Sequence, residues 1–331
     1  MHGSVSVVIV TFNGRLLLES CLRALFSGTR LPEEVIVVDN ASTDGTVRWL
    51  QVTYPSIVVV PCTVNLGFAA ANNRGIERAR SAYIFTLNND TEIEPDALAT
   101  LCRTLDDAEP HVGAAMSTMV FAQRPEIVAC AGLEVFANGV VRDSGIGGGI
   151  NRSGVRAQVF GPSAGAALYR RMALDDVGLF DPALFMYLED ADLAWRLRLR
   201  QWQTLTVPGA IVRHAVSATA GYGSPRKAYY LARNRWWCLV KNVPEPLLRR
   251  DAMPIARYDA AAVAYAIATG DRASLAGRRD ALADLLTIRN ARARIQSRVT
   301  ERIEALEPWI ATAPALRETL KERRMIAAYL T

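Results

Sequence analysis

Short apolar runs alternate with segments of helical periodicity over residues 1–120. The runs are rich in valine and isoleucine and lack polar alternation, which is typical of strands buried on both faces of a parallel sheet. The pattern predicts four strands and three helices in alternation, with the strands at Val5–Val10, Glu34–Asp39, Ile57–Val60 and Tyr83–Leu87 and the helices at Gly14–Gly28, Asp44–Gln51 and Ala69–Arg80. This order predicts a doubly wound α/β fold, in which a mostly parallel sheet is covered by helices.

The pattern changes in the second half of the chain. A strand and a hairpin with an Asn-Gly turn are followed by two helices, and the remainder is helical throughout. These elements are predicted at the strand from Val112, the hairpin Glu134–Asp143, the helices Leu188–Gln203 and Pro225–Asn242, and the region from Pro244, which carries a long apolar stripe over Ser274–Leu306. We therefore expect an α/β part followed by a C-terminal helical region.

Composition places the chain among globular proteins of about two domains, because it has 331 residues and half of them are hydrophobic. The five cysteines form no CxxC pair, and the N-terminus lacks a signal-peptide pattern. No apolar run approaches the roughly 18 residues that a membrane-spanning helix needs. We expect a cytoplasmic protein with free thiols.

The net charge of +5 lies mostly in residues 244–331, which hold 15 Lys or Arg and 11 Asp or Glu. A basic helical region is compatible with peripheral contact at the anionic inner face of a membrane. It is equally typical of a solvated helix surface or of a packing face in a homodimer. No basic cluster is interleaved with aromatic residues, so nucleic acid is not an expected partner.

Polar and small residues follow each of the first four predicted strands. The carboxyl ends of parallel strands meet at one edge of a sheet, which is where open α/β sheets bind ligands. Each group also has a simpler interpretation as an Asx turn or a helix cap. The residues expected to line a nucleotide-sized crevice are Thr11, Phe12, Asn13, Asp39, Asn40, Asn65, Gly67, Asn88, Asn89 and Asp90.

The segment Leu87–Pro95 (LNNDTEIEP) carries the most specific chemistry at this edge. It delivers the carboxylate of Asp90 just beyond an apolar strand. A hard divalent cation prefers oxygen ligands, and a diphosphate prefers such a cation. The alternative is that Asp90 or Thr91 caps a following helix.

Four motifs in this order and spacing resemble the family 2 glycosyltransferases: VSVVIVTFNGR, VIVVDNASTDGT, NLGFAAANNRGI and LNNDTEIEPDAL. The resemblance continues through GPSAGAALYRR, VGLFDPALFMYLEDADLAWRLRLRQW and YYLARNRWW, and it covers residues 4–243. Within the family the chain is most similar to the rhamnosyltransferase-type branch. The resemblance implies a GT-A fold and a nucleotide-diphosphate sugar as the donor.

The resemblance also implies roles for single residues on the donor side. Thr11 and Asp39 match positions that hold the nucleobase, and Asn65 matches a position near the nucleoside. Asp90 matches the last residue of the DxD motif, which binds Mn²⁺ or Mg²⁺ on the diphosphate. The first aspartate of that motif is replaced here by Asn88, which removes one negative charge from the site.

A histidine and a pair of carboxylates complete the implied site. His214 resembles a histidine that some members add to the metal shell, although a lone histidine after a strand is commonly structural. Asp190 matches the general base that accepts the proton of the acceptor hydroxyl, and Glu189 is the reserve candidate. Acidic residues at a helix start also interact with the helix dipole, and Asp192 is expected to cap or to pair with an arginine.

The expected protein is a GT-A domain over residues 1–243, with a nucleotide-sugar half (1–120) and an acceptor and catalytic half (121–243), followed by the helical region 244–331. The expected activity is inverting, metal-dependent transfer of a hexosyl group from a UDP- or dTDP-sugar, dTDP-rhamnose included. The acceptor would be a saccharide or lipid-linked saccharide in cell-envelope or surface polysaccharide synthesis.

Three other classes are weighed against this activity. A sugar-nucleotide pyrophosphorylase would need a glycine-rich, arginine-containing N-terminal loop, where this chain has TFNGR. A nicotinamide oxidoreductase would need a glycine-rich fingerprint after the first strand, which this chain lacks. A non-catalytic nucleotide-sugar-binding protein is favoured by Asn88 and disfavoured by the intact Glu189-Asp190 pair.

Overall fold

A computed structural model describes residues 3–215, 224–314, 325, 326 and 329. Its first half consists of the alternating elements that the apolar pattern predicted. In chain order these are β1 (Val5–Thr11), α1 (Arg15–Phe26), β2 (Glu34–Asp39), α2 (Thr46–Thr53), β3 (Val58–Pro61), α3 (Gly67–Arg78) and β4 (Tyr83–Asn88). The predicted α/β class is therefore confirmed.

These four strands are parallel, in the spatial order β4-β1-β2-β3. The register places Thr11 beside Asp39 and Val10 beside Asn88. The valines and isoleucines at the centre of β1 and β2 are fully buried, because helices cover both faces of the sheet. All four carboxyl ends consequently lie at the same edge.

Within the described part of the chain, the second half extends this sheet to ten strands. Its elements are β5 (Thr91–Ile93), α4 (Ala97–Asp107), β6 (Val112–Phe121), β7 (Arg124–Cys130), β8 (Leu133–Phe136), β9 (Val141–Asp143), β10 (Ala157–Val159), β11 (Ala166–Arg170), α5 (Arg171–Val177), α6 (Glu189–Leu199) and β12 (Gln203–His214). Strand β11 lies between β4 and β6 and is antiparallel to both, and β12 runs parallel to β6. The predicted hairpin is present as β8 and β9, which belong to a separate sheet of three strands.

The structure excludes one alternative interpretation and corrects one predicted helix. Asp90 and Thr91 cap no helix, because they lead into β5 and α4 begins only at Ala97. The helix predicted over Leu188–Gln203 ends at Leu199. Gln201 there adopts a left-handed backbone (φ 67°), and the chain turns into β12.

The C-terminal region is mostly helical, as predicted, but it is divided into several separate helices. It contains α7 (Pro225–Asn242), α8 (Glu245–Arg250), α9 (Ala252–Thr269), α10 (Arg272–Ala283), α11 (Leu285–Gln296), α12 (Ile303–Leu306) and a short strand, β13 (Ile310–Ala311), that pairs with β8. The helix predicted over Ser274–Leu306 is thus broken twice. Beyond residue 314, most of the predicted helical region lies outside the described residues.

The helices after α7 share an apolar core with the second half of the sheet domain. Leu247 and Leu306 pack in one cluster with Leu133 of β8 and Trp195 of α6. All five cysteines are buried and unpaired. Among the described residues, no helix is both long enough and apolar enough to span a bilayer.

Candidate functional site

The carboxylate of Asp39 ends β2 at the carboxyl edge of the sheet and is only 2% exposed. Its Oδ2 accepts a hydrogen bond of 3.0 Å from the Ser42 backbone N–H, so one oxygen forms the expected Asx turn. Its Oδ1 is buried and has no hydrogen-bond partner among the described residues. Because a buried acceptor is costly to leave unsatisfied, Oδ1 is suited to receive an N–H group from a ligand.

Four more of the predicted residues lie around the end of β1. The Asn89 side-chain amide donates a hydrogen bond of 3.1 Å to Thr11 Oγ1, and both residues are buried. Asn13 is exposed, and its Oδ1 accepts a hydrogen bond of 2.7 Å from the Thr43 backbone. Phe12 is half-buried beside them. The strand end is thereby tied to both neighbouring loops.

The side chain of Asn40 is used within the protein. Its Nδ2 donates to Asn65 Oδ1 (3.0 Å) and to the Gly67 carbonyl (3.2 Å), and its Oδ1 accepts from Leu66 N–H. Gly67 has φ +79°, and a Cβ there would lie 2.5 Å from the Phe185 carbonyl oxygen. Asn40, Asn65 and Gly67 therefore form one braced turn that contacts the loop before α6.

Asp90 and His214 are adjacent at the end of the sheet. The distance from His214 Nε2 to Asp90 Oδ1 is 3.3 Å, and both side chains are largely buried. Strand β5 creates this pair, because it aligns His214 with Thr91 and because the Ala215 N–H donates to the Asp90 carbonyl. The described residues contain no cluster of three His, Cys, Asp or Glu, so a cation here would take its remaining ligands from substrate oxygens and water.

Asn88 connects this edge to the second half of the domain. Its backbone N–H donates a hydrogen bond of 2.8 Å to the Gly165 carbonyl, just before β11. Its side-chain Oδ1 is buried without a partner in the part of the chain that the structure describes. A second unsatisfied acceptor thus lies between the Asp39 turn and the segment Ser163–Gly165.

Asp190 lies on the other side of that segment. Its carboxylate accepts hydrogen bonds from the backbone N–H groups of Ala191 and Ala164 and from the Ser163 side chain. Burial and the negative charge of Asp143 nevertheless raise the pKa of Asp190 to about 6. A carboxylate of this basicity can accept a proton near neutral pH.

The two neighbouring carboxylates have different environments. Burial, together with the charge of Asp190, raises the pKa of Glu189 well above its usual range, and its Oε2 lacks a partner within the described chain. Burial alone would also raise the pKa of Asp192, but Lys241 and Arg196 lower it to about 2. The expected pairing of Asp192 with an arginine is confirmed, and its role is structural.

Two residues near this acidic pair are not among the predicted site residues. Asp143, at the end of the predicted hairpin, adds a negative charge that acts on Asp190. Asn234 in α7 is fully buried, and its Nδ2 donates to the carbonyl oxygens of Leu184, Met186 and Tyr187. The available signal was an asparagine inside YYLARNRWW, a helical segment rich in aromatic residues, because a polar side chain that such a helix buries needs hydrogen-bond partners.

Comparison with known proteins identifies a family. The family model described as Glycosyl transferase family 2 matches residues 6–178. An N-acetylglucosaminyl-diphospho-decaprenol L-rhamnosyltransferase of Mycobacterium tuberculosis is 30% identical over 254 residues, which cover 67% of this chain and 79% of that protein.

Two solved structures share the fold. One is a mannosyltransferase from Pyrobaculum calidifontis in complex with GDP-Man and Mn²⁺ (TM-score 0.54, 19% identity, 99% of this chain and 86% of that one). The other is S. aureus TarS 1-349 in complex with UDP-GlcNAc (TM-score 0.53, 16% identity, 99% and 89%). The predicted GT-A fold is confirmed.

Proposed function

The chain belongs to glycosyl transferase family 2, and from this premise we propose that it is an inverting transferase that moves a sugar from a nucleoside-diphosphate donor to a saccharide hydroxyl. One observation carries the proposal. The segment Ser163–Gly165 hydrogen-bonds Asn88 of the donor edge on one side and the carboxylate of Asp190 on the other. A nucleotide-binding edge and a basic carboxylate are thus joined through three residues.

The donor would lie along the carboxyl ends of β1 to β4. The unsatisfied Oδ1 of Asp39 suits the ring N–H of uracil or thymine, and that of Asn88 suits a ribose hydroxyl. We therefore propose a UDP- or dTDP-sugar. The Mycobacterium tuberculosis relative is named as an L-rhamnosyltransferase, so dTDP-rhamnose is the first donor to test.

Asp90 and His214 are the residues that would hold Mn²⁺ or Mg²⁺. The carboxylate and imidazole are suitable ligands and are already adjacent, and the P. calidifontis neighbour was solved with Mn²⁺. A bound divalent cation would supply Lewis-acid neutralisation of the charge on the leaving diphosphate. Asn88 stands where the family's motif has an aspartate, so the site has one carboxylate fewer. His214 would therefore be the second protein ligand, beside Asp90.

Asp190 would accept the proton of the acceptor hydroxyl as that oxygen attacks the anomeric carbon. Bond formation on the face opposite the leaving diphosphate inverts the configuration in a single displacement. Glu189 is buried beside Asp190, and its raised pKa favours the neutral, protonated form. No second negative charge therefore lies next to the carboxylate of the base. We assign Glu189 a positioning role.

For the acceptor, we propose a saccharide carried on a lipid diphosphate, in cell-envelope polysaccharide synthesis, by analogy with the name of the same relative. Residues 1–120 would form the nucleotide-sugar half, residues 121–243 the acceptor and catalytic half, and residues 244–331 a helical region. We propose that the basic helical region contacts an anionic membrane at the cytoplasmic face. A homodimer through the same helices is the competing use of this surface.

The test is an isosteric substitution of the base. Asp190→Asn should lower turnover by about 10²–10⁴-fold, the usual contribution of a positioned general base, and should leave donor binding near wild type. Turnover is measured as nucleotide release from dTDP-rhamnose and UDP-sugars with lipid-diphosphate N-acetylglucosamine as acceptor. Asp175→Asn, at an exposed aspartate of α5, is the matched control. Normal turnover in Asp190→Asn would refute the assignment of the base, and loss of turnover only in Glu189→Gln would transfer that role to Glu189.

A further inference from the structure

A cleft of about 530 Å³ lies between the loop before α6 and the helices α7 and α10. Its lining includes none of the strand-end residues that would hold the donor. Its aromatic and charged lining comes from Phe185 of the loop, from Tyr229, Tyr230 and Arg233 of α7, and from Asp280 and Asp284 at the end of α10. A cleft of this size falls in the range of small-ligand sites.

Three aromatic rings form one wall of the cleft. The Phe185 and Tyr230 rings are stacked, with centroids 5.3 Å apart and planes inclined by 10°. The Tyr229 ring meets Tyr230 edge-on, at a centroid distance of 5.1 Å. All three residues are only half-buried, so part of the aromatic surface stays accessible. Such faces suit the C–H surface of a sugar ring, which is apolar.

The polar groups of the cleft are held in fixed positions. The Tyr229 hydroxyl donates a hydrogen bond of 2.9 Å to Asp280 Oδ2. Arg233 donates to the Ala183 carbonyl (2.8 Å) and to Asp284 Oδ2 (3.3 Å). Carboxylate acceptors and a guanidinium donor of this kind can bind several hydroxyl groups without reorganisation.

The charge balance argues against a phosphate ligand. Asp280 is ion-paired with Arg279 (2.8 Å) and Asp284 with Arg233 (3.3 Å), so the carboxylates that line the cleft each have a basic partner. Arg226, whose guanidinium lies 5.3 Å from the Phe185 ring centroid, is not among the lining residues. A diphosphate site would need an excess of positive charge or a cation. The combination of aromatic faces with balanced charges favours a neutral, polyhydroxylated ligand.

We propose that this cleft binds a neutral sugar unit of the saccharide acceptor, at a distance from the hydroxyl that reacts. The inference rests on the proposed transferase function. The loop that carries Phe185 leads directly into Glu189-Asp190, and the Phe185 carbonyl accepts a hydrogen bond of 3.1 Å from Ala69 N–H of α3. A sugar in the cleft therefore contacts the same loop that joins the donor half to the catalytic carboxylate.

Saturation-transfer NMR on the full chain tests the cleft directly. The probes are methyl α-L-rhamnoside and N,N′-diacetylchitobiose, with glucose 1-phosphate as the anionic counterpart. The wild type should bind at least one neutral probe and should not bind the phosphate more tightly. Tyr230→Ala should weaken neutral binding about tenfold, because it removes one stacking face. Asp280→Asn, which conserves shape, should also weaken it.

Tyr265→Ala removes an exposed tyrosine of α9 that does not line the cleft, and it should leave the binding unchanged. Binding of dTDP and UDP with Mn²⁺ is measured in the same samples. If the nucleotide binds and neither neutral probe does, or if Tyr230→Ala and Asp280→Asn bind the probes as the wild type does, the cleft is not a sugar site although the proposed function stands. If no nucleotide binds, the proposed function itself is wrong.

Discussion

Asn234 controls the backbone that leads into the catalytic carboxylates, and its removal should affect both stability and turnover. Its Nδ2 donates hydrogen bonds of 2.8, 3.0 and 2.8 Å to the carbonyl oxygens of Leu184, Met186 and Tyr187. The loop that it holds has left-handed φ angles at three non-glycine residues, Phe185 (64°), Tyr187 (66°) and Leu188 (65°). These angles persist only because the surroundings fix them.

The size of the effect follows from these contacts. A left-handed conformation costs roughly 1–2 kcal/mol for each such residue, so the loop stores on the order of 3–6 kcal/mol. Asn234→Ala leaves buried carbonyls unsatisfied, which should lower the free energy of unfolding by about 1–3 kcal/mol. A loop released to relax should also displace Asp190, and a displacement of about 1 Å can cost on the order of 10²-fold in rate. Asn234→Asp should be worse, because it turns acceptor oxygens toward the three carbonyls.

Denaturant unfolding, turnover and donor affinity are measured on Asn234→Ala, Asn234→Asp and the wild type. Asn290→Ala, at an exposed asparagine of α11, is the control and should match the wild type in all three measurements. Donor affinity should change little in the Asn234 variants. Reduced stability with unchanged turnover of the folded enzyme would refute the positioning role, and unchanged stability would refute the hydrogen-bond reasoning as well.

The remaining predictions concern the metal, the pH dependence and the membrane. Asp90→Ala should abolish the Mn²⁺-dependent part of nucleoside-diphosphate binding in calorimetry and His214→Ala should weaken it less, whereas unchanged affinity in Asp90→Ala would contradict the metal site. Because burial and Asp143 raise the pKa of Asp190 to about 6, turnover should fall as the pH drops below about 6, since the base becomes protonated. Asp143→Asn removes one negative charge, so it should move this midpoint to lower pH, and an unmoved midpoint would exclude Asp143 as a cause. In flotation assays the protein should bind anionic vesicles in a salt-sensitive way, because residues 244–331 carry 15 basic and 11 acidic side chains. Equal recovery on neutral vesicles, or no recovery on either, would favour a packing or dimerisation role for these helices.

The sequence by itself determined the order and type of the main elements. Four apolar runs became β1 to β4, because strands buried on both faces must be apolar throughout. The alternation with helices made those strands parallel, and this placed Thr11, Asp39, Asn65 and Asn88 at or just beyond the same edge. Local chemistry also determined the Asx turn at Asp39, whose partner is only three residues away.

Only the tertiary structure decided which polar groups can act on a ligand. The turn accounts for one oxygen of Asp39 and leaves the other unsatisfied, whereas Asn40 is fully used by Asn65 and its neighbours. The pairing of Asp90 with His214 depends on the three-residue strand β5, which has too little periodicity to be predicted. The pKa of Asp190 depends on burial and on the charge of Asp143, which is far from it in the sequence but near it in the folded protein. Desolvation and long-range pairing come from the packing of segments far apart in the chain, so no local pattern of residues encodes them.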